Sequence, residues 1–481
     1  MGTMRKIRYI PAGFCRRSVR WSLLLAVGAA LGSITAASVL AQIPDVTVSQ
    51  RPEPQTPTES APTMFPHLPE SRLWVSGQMN AIFQGNGSFP ARYSGANSFQ
   101  NKANEANGRV ITLYTGWQIT HSFEVLADAE EAEGLGLSSA VGIAGFPNLD
   151  AVRDPTLGAS PYLARIMVHT SLPFGHDEAD AGPLSTFSEM AKRRFEVRAG
   201  KFAIPDFFDT NSVGGDSHLQ FLNWSVDQNG AFDFTADARG YTWGVMGEYQ
   251  NPAWGLRSAL ALMPGPKNGG PLVWNLRQAN TSETELELHR GPIGKPGIIR
   301  LLGWVNHGNM GAYQYAIDQY LAGKTTAPDI DNHPLQVTAK YGFGVNVEQG
   351  LSASMTAYGR FGWNNGKTET WSFTEIDQTW SGGVTFLGHL WRRSNDRGGA
   401  AFASNGISSV HARYLALGGL GSVLGDGALN YGRENLVEGF YTVHLWRGVF
   451  TAADLQYIVS PGYNRDRGPI LVPSSRIHVE F

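Results

Sequence analysis

The sequence predicts an all-β protein: a transmembrane antiparallel β-barrel of about sixteen strands, with a disordered N-terminal linker. Three observations predict it. Segments of ten residues or more alternate apolar and polar side chains, the pattern of a strand with one lipid face and one wet face. Charged residues make up only 16% of the chain, whereas glycine (57 residues) and aromatics (11%) are abundant, the composition of a lipid-facing sheet with aromatic girdles. The amino terminus reads as an export signal, yet no later apolar run is long enough for a membrane helix.

Residues 1–41 carry Arg5, Lys6, Arg8, Arg16, Arg17 and Arg20, then an apolar run from Trp21 to about Leu31, then Val39-Leu40-Ala41. This is the layout of a secretory signal peptide cleaved after Ala41. The single cysteine, Cys15, lies inside it, so a processed chain would have no disulfide, thiolate metal site or cysteine nucleophile. Removing 1–41 takes away six positive charges and no negative one, moving the formal net charge from −3 to −9. An acidic chain argues against nucleic acid as a partner. Residues 42–71, with seven prolines among Ser, Thr, Glu and Gln, read as an extended periplasmic linker, and 72–481 as the barrel.

Strands are expected near 72–83, 109–119, 121–132, 162–172, 194–201, 241–249, 254–263, 283–290, 297–306, 335–347, 351–363, 380–390, 399–407, 435–446, 449–459 and 475–481. The clearest alternation sets Leu335, Val337, Ala339, Tyr341, Phe343, Val345 and Val347 against Gln336, Thr338, Lys340 and Asn346. In the last strand Ile477, Val479 and Phe481 oppose Arg476, His478 and Glu480. These runs exceed the five or six residues typical of a soluble sandwich strand. Connections alternate mostly short (250–253, 291–296, 348–350, 447–448) and long (84–108, 202–240, 307–334, 408–434), the short ones facing the periplasm and the long ones outside. The stretch 173–193 is too long for a periplasmic turn and fits no element.

The inward polar positions mix both signs: Glu124, Asp128, Arg165, Arg194, Glu196, Arg198, Glu248, Arg257, Glu285, Glu287, Lys340, Arg360, Asp454 and Arg476. An ion-selective pore would favour one sign, so mixed charge with Tyr, Trp and amides suits a neutral, hydroxylated solute. The bland alternative is that these charges pair along the wall and hold water. The 202–240 connection carries Phe207, Phe208, Phe221, Trp224, Phe232 and Phe234, which a loop wholly in water would not favour. It is expected to fold inward and narrow the lumen beside Arg194, Glu196 and Arg198, or else to pack on the rim. The candidate channel-lining set is Arg165, Arg194, Glu196, Arg198, Trp224, Arg257, Lys340, Arg360 and Arg476.

No G-x-S-x-G elbow, H-E-x-x-H helix or Walker loop occurs, so no enzyme, metal or cofactor is expected. Asp216-Ser217-His218 reads as a polar loop, and Glu130, Glu131 and Glu133 as a solvated strand end.

Ser460-Pro461-Gly462-Tyr463-Asn464-Arg465-Asp466-Arg467-Gly468-Pro469, followed by Arg476-Ile477-His478-Val479-Glu480-Phe481, resembles the carbohydrate-selective porin family of the OprB type. So do Asp426-Gly427-Ala428-Leu429-Asn430-Tyr431 with Glu434, Tyr358 to Asn364, Gln220 to Trp224 and Ala236 to Gly244. The resemblance runs from about residue 72 onward and implies a sixteen-stranded barrel, often monomeric, that passes sugars by facilitated diffusion in the outer membrane. Its further partners would be outer-membrane lipid, lipopolysaccharide and the barrel-assembly machinery. The alternatives, in descending order, are a polysaccharide export channel or accessory barrel, a barrel enzyme and a structural envelope anchor.

Overall fold

The computed structural model describes residues 63–65 and 71–481, apart from 153, 155, 176, 181–183, 268, 269, 372 and 373. The expected signal segment, and the linker except for residues 63–65 and 71, lie outside the described residues. The strands are β1 (Leu73–Asn86), β2 (Asn104–Thr120), β3 (Phe123–Glu133), β4 (Tyr162–Pro173), β5 (Glu178–Asp180), β6 (Glu189–Ala191), β7 (Arg194–Phe202), β8 (Thr242–Gln250), β9 (Trp254–Leu262) and β10 (Asn280–Leu288). They continue with β11 (Gly297–Gly308), β12 (Thr338–Ser352), β13 (Met355–Asn364), β14 (Gln378–Gly388), β15 (Arg393–Gly406), β16 (Glu434–Trp446), β17 (Val449–Val459) and β18 (Ile470–Glu480). All but β5 and β6 pair antiparallel into one closed barrel, with β4 beside β7 and β18 returning to β1. Closure satisfies the backbone of every strand, which is what a sheet in hydrocarbon requires.

Every expected strand is present, with some ends moved. β12 runs on to Ser352, so the turn expected at 348–350 falls at 353–354, and Gln349 sits in the ladder opposite Gly297. β15 starts at Arg393 rather than near 399, because Gly398 and Gly399 interrupt the visible alternation. β18 starts at Ile470 rather than 475. Pro473 hid its beginning, but it stands just beyond Ser474, the last β18 residue that pairs with β1. The connection 173–193 carries the β5–β6 hairpin.

Short turns gather at one mouth. At the other stand L1 (87–103), L2 (134–161), L3 (203–241), L4 (263–279), L5 (309–337), L6 (365–377), L7 (407–433) and L8 (460–469). Outward side chains are apolar, and Trp117, Phe174, Trp254, Trp391 and Trp446 lie exposed near the short-turn mouth. Tyr341, Trp380 and Tyr457 lie exposed toward the long-loop mouth, so the wall carries an aromatic girdle at each end of its apolar band. The buried apolar clusters, by contrast, are inside the barrel, where L2, L3, L5 and L7 pack against inward wall residues.

Candidate functional site

Period-two alternation turns every second residue of each strand inward, and many of these are polar. On eight successive strands these residues join into a belt. His169 bridges Glu124 (2.6 Å) and Glu196 (2.8 Å), and Glu196 also takes Arg194 (2.5 Å) and Arg198 (2.6 Å). Arg198 faces Glu248 at 3.6 Å, and Glu248 holds Arg257 at 3.0 Å. Arg257 reaches Glu285 (2.8 Å) and Glu287 (3.2 Å), Glu287 reaches Arg300 (2.9 Å), and Arg300 pairs with Glu348. The belt runs from β3 to β12 without a break, six carboxylates against four guanidiniums and one imidazole. Neighbouring opposite charges offset one another at short range and leave the belt a small negative excess.

The remaining wall is poorer in charge. Asn80, Gln84, Thr379, Ser381, Asn405, Gln456 and Ser474 point inward there, among Glu434, Glu438 and Arg476.

L3 lies across the lumen between these walls. Its seven aromatics are all at most 8% exposed, so the loop folds inward rather than lying in water. Burying an aromatic of this kind contributes roughly 1.5–3 kcal/mol, enough to order a long loop. Polar anchors fix its path. Arg257 donates to the Phe207 carbonyl (2.6 Å), and Arg360 to those of Val226 (3.0 Å) and Asp209 (3.1 Å). Glu438 accepts from the Leu222 (2.5 Å) and Asn223 (3.2 Å) amides, and Arg476 takes the carbonyls of Ser217 and Gln220. Gly362 is required where L3 touches β13, because a Cβ there would collide with Asn229.

L2 enters beside L3. The Trp224 amide donates to the Phe146 carbonyl (2.9 Å), and the Trp224 ring stands edge-on to Phe146 and parallel to Phe234. Glu434 accepts from the amides of Ala144 (2.9 Å), Gly145 (2.8 Å) and Gly462 (2.8 Å), tying L2 to L8.

The candidate set therefore divides. Arg194, Glu196, Arg198 and Arg257 share the belt. Arg165 stands apart, bridging Asp206 (2.7 Å) and Asp128 (3.3 Å). Lys340 reaches Asp233 (3.3 Å) and Thr370 (3.1 Å), while Arg360 and Arg476 hold L3 from different walls. Trp224 belongs to L3 itself. All nine lie inside the barrel, their polar heads taken up by loops or neighbouring wall groups. Asp454, the last of the inward charges, accepts from Gln456.

Sequence reasoning passed over His169 and Arg300, and put Glu348 in the turn expected at 348–350. It took His218 for part of a polar loop. This side chain meets Asp150 of L2 at 3.4 Å, stacks on His478 at 5.6 Å, and lies near Asp216 and Arg476. Burial opposes its charge, but Asp150 and Asp216 outweigh that and raise His218 to about 9. Burial also works against Asp150, yet His218 and Asn80 bring its carboxyl below the ordinary range. A raised imidazole pKa means the L2–L3 clamp is complete below the usual histidine range and is lost as pH rises through about 9. Pore conductance is therefore expected to climb across that alkaline step in the wild type, and to stay flat in His218→Gln. A step of equal size in the variant would assign it to another group.

The acidic run divides as well. Glu130 accepts from Tyr241 (3.1 Å), Thr112 (3.1 Å) and Tyr162, whereas Glu131 and Glu133 pair with Arg109 outside.

An even-stranded closed barrel, girdled outside and charged within, its lumen narrowed by inward loops, is an outer-membrane porin. Residues 108–481 match the family described as carbohydrate-selective porin, OprB, and the chain belongs to that family. Family and fold imply a channel rather than an enzyme. A solved structure of Pseudomonas putida OprB at high pH shares 15% identity, with a TM-score of 0.64, covering 85% of this chain and 94% of that one. The low-pH structure of the same protein matches at 11% identity, TM-score 0.44, covering 85% and 92%. An anion-selective porin from Comamonas acidovorans matches at 8% identity, TM-score 0.45, covering 85% and 99%. No curated protein sequence matches the chain. The blocks that resemble the family turn out to be loop anchors. Arg467 takes the carbonyls of Tyr93 and Phe99 in L1, Asn464 donates to Tyr93 (2.8 Å) and Asp426 (2.9 Å), and Asn223 to Gly145 (3.1 Å) and Gln456 (3.0 Å).

Proposed function

We propose that this porin, exported by cleavage after Ala41, works as a monomer that passes neutral mono- and oligosaccharides by facilitated diffusion, with its long loops facing outside. The observation that carries this reading is the belt of alternating sign opposite a wall richer in amides and hydroxyls. Loops cover the belt, so it acts on solute through its mixed field, while the groups that stay accessible, Asp216, His218, Arg397 and Glu480, can donate to and accept from sugar hydroxyls. A small ion of either sign gains little from the same wall. In this reading Arg165, Arg194, Glu196, Arg198, Trp224, Arg257, Lys340, Arg360 and Arg476 act by holding the passage in shape. Outer-membrane lipid and lipopolysaccharide surround the girdles, and the barrel-assembly machinery inserts the chain. In liposome swelling, neutral sugars are expected to enter faster than charged solutes of equal size, with rates falling from mono- to trisaccharide. Swelling that follows ionic charge and ignores sugar size would overturn the reading.

A further inference from the structure

The hairpin of 174–193 leaves the short-turn mouth, but its described residues do not stay there. Phe174 and Arg193 close its base, the Phe174 amide donating to the Arg193 carbonyl at 2.8 Å. Beyond that base the chain turns into the lumen. Ser185 Oγ donates to Glu124 at 2.7 Å, and the Thr186 amide and hydroxyl donate to the other oxygen of Glu124 at 2.6 and 2.5 Å. The Phe187 ring covers His169 at 5.5 Å, and Arg194 returns to the Ala191 carbonyl at 3.1 Å. Phe187 and Met190 are buried. On β2, Gly116 is required, because a Cβ there would collide with Thr186. Glu124 and His169 form one end of the belt and are fully shielded from solvent.

L3 covers the rest of the belt from the other side, with Phe207 under Arg198 and the Asp209 amide on Glu285. Hairpin and loop together therefore seal the charged wall. Accessible inward groups in the short-turn half are found across the lumen. Asp216 and Glu480 each keep 34% of their side-chain surface, His218 23% and Arg397 15%, against at most 10% for any belt residue. Gln78 faces the same space opposite Glu480.

We propose that residues 184–193 of this hairpin form a second constriction element, entering from the short-turn mouth, that steers solute away from the belt and along the track of Gln78, Asp216, His218, Arg397 and Glu480. The track offers amide, carboxylate, imidazole and guanidinium groups in turn, the chemistry of a polyhydroxylated solute, so this deepens the sugar-porin reading. Selection by size then arises at two levels, L3 from one mouth and the hairpin from the other.

The test uses the full chain reconstituted in planar bilayers and liposomes. Replacing residues 175–192 by a two-residue turn is expected to raise small-ion conductance by about twofold or more, as widening a constriction does. It is also expected to bring disaccharide swelling rates close to those of monosaccharides. Thr186→Asp, which sets a carboxylate against Glu124, keeps the chain length and is expected to move both readouts the same way. It also serves if the shortened hairpin fails to fold. Arg397→Ala is expected to alter sugar rates with folding intact. Unchanged conductance and unchanged sugar ratio in the folded hairpin variants would overturn the proposal. If the wild type passed no sugar, the proposed function would fail instead, and the conductance arm would still report on the hairpin.

Discussion

Arg360→Ala is expected to free L3 from the barrel wall, raising small-ion conductance several-fold and abolishing discrimination among sugars by size. The guanidinium holds three separate points of the loop: the Val226 carbonyl at 3.0 Å, that of Asp227 at 3.2 Å, and Asp209 through both its carbonyl (3.1 Å) and its carboxylate (2.8 Å). The Arg360 side chain is completely buried, so nothing replaces it once removed. Asp209 and Asp227 are both pushed up by burial, with Arg360 the largest influence pulling them back. Without it, two buried carboxyls must take up protons or draw the loop toward water. Removing one partner of a buried ion pair costs about 3–5 kcal/mol, as much as one or two of the aromatics that keep L3 inward contribute. Arg360→Lys is expected to fall between, since a point charge cannot serve carbonyls and a carboxylate in one plane. Single-channel conductance reads the effect, and heat-modifiable migration checks that the barrel itself has formed. Wild-type conductance in folded Arg360→Ala would mean that the aromatics alone hold the loop.

The barrel was legible because its rule is local. A strand in lipid must alternate, so Leu335 to Val347 and Ile477 to Phe481 announce both their conformation and their outward face without any long-range information. The misplaced ends fall where that rule is silent, at Gly398-Gly399, at Pro473 and at the Glu348 to Ser352 stretch, which remains paired although its alternation fades. The site was legible only by halves. Period two shows that Arg194, Glu196, Arg198 and Arg257 point inward, but it cannot show which cross-strand partner each meets. That depends on register, and a shift by one residue would send every side chain to the other face. Loop destinations were harder still. The aromatics from Phe207 to Phe234 signal burial, yet nothing in that stretch names Arg360 or Glu438, more than a hundred residues away, as its anchors. The hairpin gave no signal at all. Ser185-Thr186-Phe187 is an ordinary loop sequence until Glu124 and Gly116 are brought beside it.

Deleting Arg476–Phe481 is expected to abolish the folded barrel in the outer membrane. These residues supply most of the pairs that join β18 to β1, from Gln78↔Glu480 to Ile82↔Arg476, and four of those to β17. The Gly77–Phe481 backbone pair, at 2.6 and 2.8 Å, completes the seam. Ser474 and Ser475 alone would remain opposite β1. Each backbone group left unpaired in hydrocarbon costs roughly several kcal/mol, and the open seam leaves several on each side. No side-chain substitution in this strand carries a comparable penalty. Arg476→Ala keeps the ladder and loses the hold on Ser217 and Gln220 together with one bond to Thr442, so it is expected to give a folded barrel with a looser L3. The pair of variants separates closure from loop anchoring. Heat-modifiable barrel in outer-membrane fractions should be lost in the deletion and retained in Arg476→Ala. Wild-type amounts of folded barrel after the deletion would show that β1 and β17 can close the sheet without this strand.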